Sequence, residues 1–182
     1  MSADSFVKFP ELETPRLYLR ELSGKDIPVI FELRKSVLVN SFIYRPPVND
    51  VKQAEEIFRK IKSGWANKTA IAWGAFHKQS GKLLATCGLN SINMENRRAE
   101  IGGEMLPEFW GKNFAQEGFG AIIHHAFTTM KLHSIEAKMI SSNRSAIALL
   151  EKNGFVKEGH LHEYGFHNNE AFDLVIYTLF NK

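Results

Sequence analysis

The sequence predicts an α+β fold: one mixed, mostly antiparallel sheet of about seven strands with about four helices on its faces. Three strand-like segments follow one another over residues 69–106 without an intervening helix, and a long helical pattern begins only after residue 113. The chain has neither alternating βα units nor a glycine triad with dinucleotide spacing, which argues against a Rossmann fold.

The first third of the chain is predicted as strand, helix, helix. Leu17 and Leu19 share one face of a strand over residues 16–22, and Asp26 with Pro28 two residues later marks a helix start. A second helix is capped at Asn49–Asp50 and carries apolar residues at helical spacing, namely Val51, Ala54, Phe58, Ile61 and Trp65. Residues 1–13 are expected to be a lead-in to a single domain over 1–182.

The remaining elements follow from alternation and from turn residues. Residues 69–106 are predicted as an antiparallel meander of three strands, 69–77, 82–92 and 98–106. Gly102–Gly103 in the third strand indicates a bulge or a close backbone approach. Beyond Pro107 the expected order is a turn, a long helix, a strand over 134–140, a helix over 144–153 that Gly154 ends, and strands over 155–162 and 172–180.

Composition bounds the class of protein. No apolar run approaches the roughly 20 residues that cross a bilayer, and residues 1–5 lack the features of a signal peptide, so we expect no membrane association. The lone Cys87 excludes an internal disulfide and fits a reducing cytoplasm, where we expect the protein to be. A net charge of +3 without an arginine-rich arm or a basic helix gives no reason to expect nucleic-acid binding.

A turn over Trp110–Ala115 joins the third strand of the meander to the long helix. Amides at a helix start have no intrahelical acceptor, and the helix dipole adds partial positive charge there. Such a turn can hold a phosphate with main-chain donors, so the sequence predicts a pyrophosphate site here.

Five motifs then occur in a fixed order: Glu13–Arg20, Ala99–Gly102, Leu106–Glu117, Asn143 with Leu149–Phe155, and Glu158–Gly159. Over residues of about 11–180 the chain thereby resembles the GNAT (general N-acetyltransferase) superfamily, and within it the RimJ/RimL-type branch of ribosomal-protein-alanine N-acetyltransferases. The resemblance implies a GNAT-like sheet and acetyl-CoA as the cosubstrate.

The resemblance also implies which residues contact that cosubstrate. Its pyrophosphate would lie on the turn and the helix start, formed by Trp110, Gly111, Lys112, Asn113, Phe114, Ala115 and Gln116. The main chain of Met105 and Leu106 would pair with the pantetheine arm like an extra strand, and Asn143 would bind the arm from the opposite side. Trp110 and Asn113 depart from the family pattern, but asparagine tolerates a positive φ better than most residues.

Acetyl transfer to an amine needs a neutral nucleophile. The ordinary pKa values of an α-amine and of a lysine differ by an amount worth about 3.5 kcal/mol, so an α-amine manages with a weak or water-relayed base. The candidate bases are Glu100 and Glu104, of which Glu104 is expected nearer the thioester. The alternative is that Glu100 bonds a neighbouring strand and Glu104 lies at a solvated rim.

The general acid is harder to assign. Many GNAT enzymes carry a tyrosine where this chain has Leu150, and the RimJ/RimL branch often has a serine at the position of Ala146. Tyr164, His162 or a bound water remain, with Tyr164 as the named candidate. Cys87 is expected to be a buried small hydrophobe.

Histidines raise the question of a metal. His160 and His162 share a strand face and His167 is a possible third ligand, but a catalytic zinc needs three ligands in a fixed geometry, and we expect no metal.

The sequence therefore predicts a cytoplasmic N-acetyltransferase that uses acetyl-CoA and a primary amine, with a protein N-terminal α-amine as the first candidate acceptor. The alternatives are a small-molecule amine (a polyamine, amino acid or antibiotic) as acceptor, and a non-catalytic acyl-CoA-binding sensor. The chain is expected to be a monomer or a homodimer.

Overall fold

Eight strands form one sheet in this computed structural model, which describes residues 6–182. The strands are β1 (Leu12–Glu13), β2 (Leu17–Glu21), β3 (Ile71–His77), β4 (Leu83–Asn93), β5 (Arg98–Met105), β6 (Ser134–Ile140), β7 (Val156–His167) and β8 (Glu170–Phe180). Their spatial order is β1-β2-β3-β4-β5-β6-β8-β7, and every pairing except β5–β6 is antiparallel. The predicted α+β class and mostly antiparallel sheet are confirmed.

In residues 6–182, five α-helices cover the two faces of this sheet. They are α1 (Ile27–Lys35), α2 (Val37–Asn40), α3 (Val51–Ala66), α4 (Phe114–Thr128) and α5 (Arg144–Lys152), with short 3-10 turns at Gly24–Asp26 and Pro107–Phe109. One core contains buried residues of α4 and α5, among them Ile122, Ala126 and Leu150. A second, smaller core on the other face joins α1 and α3 through Ile30 and Ala54.

The departures from the predicted elements have local causes. The lead-in, whose residues 1–5 lie outside the described part, contains the two-residue strand β1, too short to give an alternation signal. The predicted loop between the last two strands is absent, because β7 and β8 continue to a tight turn at Asn168–Asn169. Both asparagines have positive φ values, 51° and 64°, which suit a two-residue hairpin turn. Tyr164, which the prediction placed in that loop, therefore lies on β7, the strand that also contains His162.

The glycine pair of β5 marks a close approach and not a bulge. A Cβ on Gly103 would come within 2.9 Å of the Cys87 Cβ on β4. The pairing of β4 with β5 is regular at Gly102 and Gly103, and its register shifts instead between Asn90 and Asn93. The predicted bulge at the pair is therefore wrong, whereas the predicted close approach is confirmed.

The two halves of the sheet separate between β5 and β6. These parallel strands pair only from Arg98 to Glu100, opposite Ser134 to Glu136, and then diverge. The remaining residues of β5, up to Met105, thus have no strand beside them on that side. Within residues 6–182, no helix is long and apolar enough to cross a membrane.

Candidate active site

A cavity of about 560 Å³ fills the gap that the two diverging strands leave. Its walls come from residues 101–105 of β5, residues 137–140 of β6, the first turn of α4 and the start of α5. The segment 42–45, which precedes α3, closes it from the other face of the sheet. The cavity therefore extends from the first turn of α4, directly after the turn at residues 110–113, to the α1 side of the molecule.

The turn before α4 has the backbone that a main-chain anion site requires. Gly111 has a φ of +72°, and Asn113 is the N-cap of α4 in the left-handed conformation, with φ 62° and ψ 13°. The amides of residues 111–116 have no acceptor within the described chain, since the first helical bond of this region runs from Glu117 N to Asn113 O. Asn113 thus adopts the positive φ that its residue type tolerates, and the loop shape persists.

The segment before β2 fastens this turn to the sheet. Glu117, in the first turn of α4, accepts hydrogen bonds from Thr14 Oγ1 (2.5 Å), Arg16 N (2.7 Å) and Arg16 Nε (2.7 Å). Arg16 also donates to the Lys112 carbonyl at 3.1 Å and stacks its guanidinium on the Phe114 ring. Burial alone would raise the pKa of Glu117, but the hydrogen bonds from Thr14 and Arg16 outweigh it and hold the pKa below its ordinary value.

Trp110 ties the turn to the end of β5. Its Nε1 donates to the Met105 carbonyl at 2.8 Å, and its ring meets Phe42 with centroids 6.3 Å apart. Leu106 donates its amide to Leu84 on β4 and accepts at its carbonyl from Phe109. Because the pairing direction alternates along an antiparallel strand, the main-chain groups of Met105 face the gap. The amide of Met105 is therefore open toward the gap, whereas both main-chain groups of Leu106 already have partners, and the pairing of either residue with a pantetheine arm stays a prediction.

The other residues predicted to contact the cofactor also differ in whether their polar groups already have partners. Asn143 lines the cavity as the N-cap of α5, where its Oδ1 accepts from Ala146 N at 3.1 Å and its amide nitrogen stays available. Gln116 instead exchanges hydrogen bonds with Asn153 at 2.9 and 3.3 Å. Lys112 is exposed, with its Nζ 5.6 Å from the Phe109 ring centroid. Phe114 and Ala115 line the cavity.

Glu104 is a buried member of an ion-paired cluster on the cavity wall. Its Oε1 lies 2.7 Å from Arg34 Nε and accepts from Thr86 Oγ1 at 3.3 Å, while its Oε2 binds a terminal nitrogen of Arg45. Only 4% of its side chain is exposed, so the alternative of a solvated rim position is wrong. Burial lowers the pKa of the Arg34 guanidinium, which nonetheless keeps its charge.

The sequence alone did not identify Arg34 or Arg45 as residues of the site. Arg45 lies 59 residues before Glu104 in a proline-rich loop, and Arg34 is one of several charged residues at the end of α1, so no spacing links either of them to β5. The other candidate base, Glu100, lies 3.1 Å from Lys138 Nζ on the neighbouring strand and outside the cavity lining. That geometry matches the alternative in which Glu100 bonds a neighbouring strand.

Two phenols line the cavity. Tyr164, the predicted acid candidate, is 58% exposed on β7. Tyr44, which the sequence did not single out, stacks on the His167 ring with centroids 4.3 Å apart. From α5, Ala146 and Leu150 present no hydroxyl to the cavity. The cavity thus offers two tyrosines as proton donors.

A bulge in β7 sets the position of Tyr164. The register of β7 against β8 shifts between Leu161 and Gly165. Asp173 on β8 holds this bulge, because its Oδ1 accepts from Glu163 N at 2.9 Å and its Oδ2 contacts His160 Nε2 (2.7 Å) and His162 Nδ1 (3.1 Å). The Glu163 amide and His160 lower the pKa of Asp173.

Within the described residues, His160, His162 and Asp173 form the group that could hold a metal, because their ligand atoms lie within 4.8 Å of one another. Asp173 takes the place that the sequence considered for His167. The two imidazoles stack at 4.3 Å with planes 26° apart, and both use a ring nitrogen to contact Asp173 Oδ2. The expectation of no metal stays a prediction.

Cys87 lies on the cavity wall and is buried, with 8% exposed. Burial raises the pKa of its thiol to about 12. The expected buried, hydrophobe-like cysteine is confirmed.

Comparison with known proteins is consistent with this geometry. Residues 16–156 match the acetyltransferase (GNAT) domain family. The chain is 31% identical over 171 residues to the uncharacterized N-acetyltransferase YoaA of Bacillus subtilis, covering 94% of this chain and 97% of that one. It is 26% identical over 128 residues to the ribosomal-protein-serine acetyltransferase of Escherichia coli, covering 69% and 72%. Among solved structures, spermidine N-acetyltransferase from Vibrio cholerae in complex with CoA and spermine superposes with a TM-score of 0.82 at 28% identity, over 91% of this chain and 95% of that one.

Proposed function

The chain belongs to the GNAT acetyltransferase family and is an N-acetyltransferase. On this premise we propose that it moves the acetyl group of acetyl-CoA to a primary α-amine, as in the RimJ/RimL branch. The observation that carries the proposal is the cavity at the gap between β5 and β6, which extends from the start of α4, where backbone amides are open, to the α1 side of the sheet. The CoA in the structurally similar Vibrio cholerae enzyme supports the same cosubstrate here.

The proposed binding mode uses main-chain donors. The open amides of residues 111–116 receive the pyrophosphate, and the Met105 amide and the Asn143 side-chain amide bind the pantetheine arm from the two sides of the gap. Met105 O is already bound to Trp110, so only its N–H is offered. The thioester then faces the part of the cavity lined by Glu104 and Tyr164.

In the proposed reaction the neutral amine nitrogen bonds to the thioester carbonyl carbon, and the carbon–sulfur bond breaks. Glu104 has both oxygens engaged, so we assign it as a base that acts through water and not by direct contact. A water relay is sufficient for an α-amine, of which roughly a tenth is neutral at pH 7. The departing sulfur takes its proton from Tyr164. The amine proton passes through water to Glu104 and from there to solvent, and solvent returns a proton to Tyr164.

A polyamine acceptor is the second candidate, favoured by the spermine-bound structural relative. The sequence also left a non-catalytic sensor open, because Ala146 and Leu150 leave α5 without a hydroxyl at the cavity, and this third possibility is kept as an outcome of the test.

One experiment separates the three. The protein is incubated with acetyl-CoA and a panel of N-terminal peptides, spermidine and aminoglycosides, and release of free CoA thiol is followed while calorimetry measures CoA binding. Acetylation of peptides above the other amines supports the proposal. Faster acetylation of spermidine or aminoglycosides overturns the α-amine assignment, and CoA binding without thiol release supports the sensor.

A further inference from the structure

More positively than negatively charged side chains line the cavity. Arg34, Arg45 and Lys138 are the cations, and Glu104 is the one carboxylate among the lining residues of the described chain. Lys138 is balanced by Glu100, whose Oε2 lies 3.1 Å from its Nζ. Arg34, Arg45 and Glu104 together carry one net positive charge beside the cavity.

The two guanidiniums also keep unused donors. Arg34 approaches Glu104 through Nε, and Arg45 uses Nε for Asn40 Oδ1 at 2.9 Å and one terminal nitrogen for Glu104. Within residues 6–182, the terminal nitrogens of Arg34 and the second one of Arg45 have no hydrogen-bond acceptor. The planar fork of a guanidinium matches a carboxylate in geometry and charge.

Arg34 and Arg45 lie on the face of the sheet opposite to the one that packs against α4 and the turn before it. Glu104 and Thr86 are paired across β4 and β5, and Glu104 contacts Arg34 of α1. Ile101 and Cys87 point to the other face, into the core that contains α4. Because the turn at residues 110–113 leads into α4, a pyrophosphate held there is separated by the sheet from the arginines. The arginines therefore face the part of the cavity left to the acceptor.

We propose that the acceptor amine carries a carboxylate, which Arg34 and Arg45 bind through their unused terminal nitrogens. The inference rests on the proposed acetyl transfer and names its acceptor class. Glu104 is then also a positioning residue, since it holds together two guanidiniums that repel each other. A polycation such as spermidine meets like charge at this place. A free amino acid or a peptide with an acidic residue near its N-terminus supplies the required group.

The test compares acceptors that differ in one carboxylate. The pairs are alanine with alaninamide, glutamate with glutamine, and Ala-Asp-Ala with Ala-Asn-Ala, and spermidine is run beside them. We expect a kcat/KM at least tenfold higher for the carboxylate member of one pair, because a charge-assisted hydrogen bond distinguishes the two. The pair that responds identifies the source as the α-carboxylate, an acidic side chain or an acidic peptide.

Equal rates within all three pairs, or fastest turnover of spermidine, overturn the carboxylate inference and leave acetyl transfer standing. If acetyl-CoA binds but no amine is acetylated, the proposed function is wrong, and the carboxylate inference, which rests on it, is wrong as well.

A variant assigns the effect to the arginines. In Arg45→Gln we expect the preference for the carboxylate acceptor to fall to threefold or less through a higher acceptor KM, while the KM of acetyl-CoA is unchanged. Arg45→Lys keeps the charge without the planar guanidinium, so its preference should lie between those of the wild type and Arg45→Gln. Arg59→Gln, at an exposed position of α3, is the matched control. CoA calorimetry establishes that each variant is folded, and should Arg45→Gln fail to fold, the comparison is made with Arg45→Lys. An undiminished preference in the folded variant contradicts the assignment.

Discussion

The indole Nε1 of Trp110 donates a 2.8 Å hydrogen bond to the carbonyl oxygen of Met105. This bond joins the turn proposed to hold the pyrophosphate to the strand end proposed to bind the pantetheine arm, so one residue links the two proposed cofactor contacts. A hydrogen bond of this kind contributes about 1 kcal/mol.

We therefore expect Trp110→Phe to raise the KM of acetyl-CoA about fivefold with a smaller change in kcat, because the ring remains while the donor is lost. Steady-state kinetics with acetyl-CoA as the varied substrate measures this. Trp65→Phe is the matched control, since that indole packs on Phe6 and Phe9 away from the turn. An equal rise in the control would show that loss of any indole suffices.

Gly111→Asp is expected to abolish CoA binding. The substitution places a carboxylate against the proposed pyrophosphate site and adds backbone strain at a φ of +72°. Gly81→Asp separates the two effects, because Gly81 has a similar φ of +67° in a remote turn with open space around it. Calorimetry should show CoA binding for Gly81→Asp and none for Gly111→Asp. Retained binding in Gly111→Asp would refute the turn as the pyrophosphate site.

The contacts of Glu117 give a pH-dependent contribution to stability. Its pKa is held below the ordinary 4.5, so its hydrogen bonds to Thr14 and Arg16 stabilise the folded state above that pH and are lost as the pH falls through the lowered pKa. Glu117→Gln should lower the free energy of unfolding by about 1 kcal/mol at pH 7, with a smaller difference from wild type below pH 4.5. Urea unfolding at several pH values measures it.

Glu56→Gln, at an exposed position of α3, is the control for removing a charge. A difference between wild type and Glu117→Gln that stays constant down to pH 3 would contradict the assigned origin of the effect.

Tyr164→Phe should lower kcat about a hundredfold with little change in the KM of acetyl-CoA, since a positioned acid contributes about that much. Tyr18→Phe removes a phenol of β2 that binds Glu11, and should leave kcat unchanged. Tyr44→Phe decides between the two phenols of the cavity. If Tyr44→Phe shows the loss and Tyr164→Phe does not, the acid is Tyr44.

Chelation is expected to leave the rate unchanged. The stacked imidazoles of His160 and His162 both contact Asp173 Oδ2, and the proposed transfer takes its proton from Tyr164 without a step at this cluster. Turnover before and after treatment with EDTA tests this. A loss that zinc restores would show that the cluster binds a metal the reaction needs.

The sequence predicted what depends on local periodicity. Alternation located the meander, and Asp50 caps α3 by accepting from Lys52 N at 3.0 Å, as its residue type and position indicated. The Asn168–Asn169 turn was missed although its residues suit a tight hairpin, because the predicted strands ended too early. Asn113 took the expected backbone conformation since that depends on one residue.

The cavity wall was less predictable, because its partners are distant in sequence. Glu104 could be identified as a cavity carboxylate, but its ion pairs with Arg34 and Arg45 exist only once α1 and the loop before α3 fold over β5. A carboxylate of the same type can be free or doubly paired according to this packing, and no local pattern distinguishes the two.

Burial of Cys87 has a practical consequence for assays of this protein. With a pKa of about 12, the thiol is almost wholly protonated at pH 8, and its position in the wall hinders large reagents. Aromatic disulfide reagents, which are used to count released CoA, should therefore receive little background signal from the enzyme's single cysteine. The native chain can be used for continuous colorimetric detection without a cysteine-free variant.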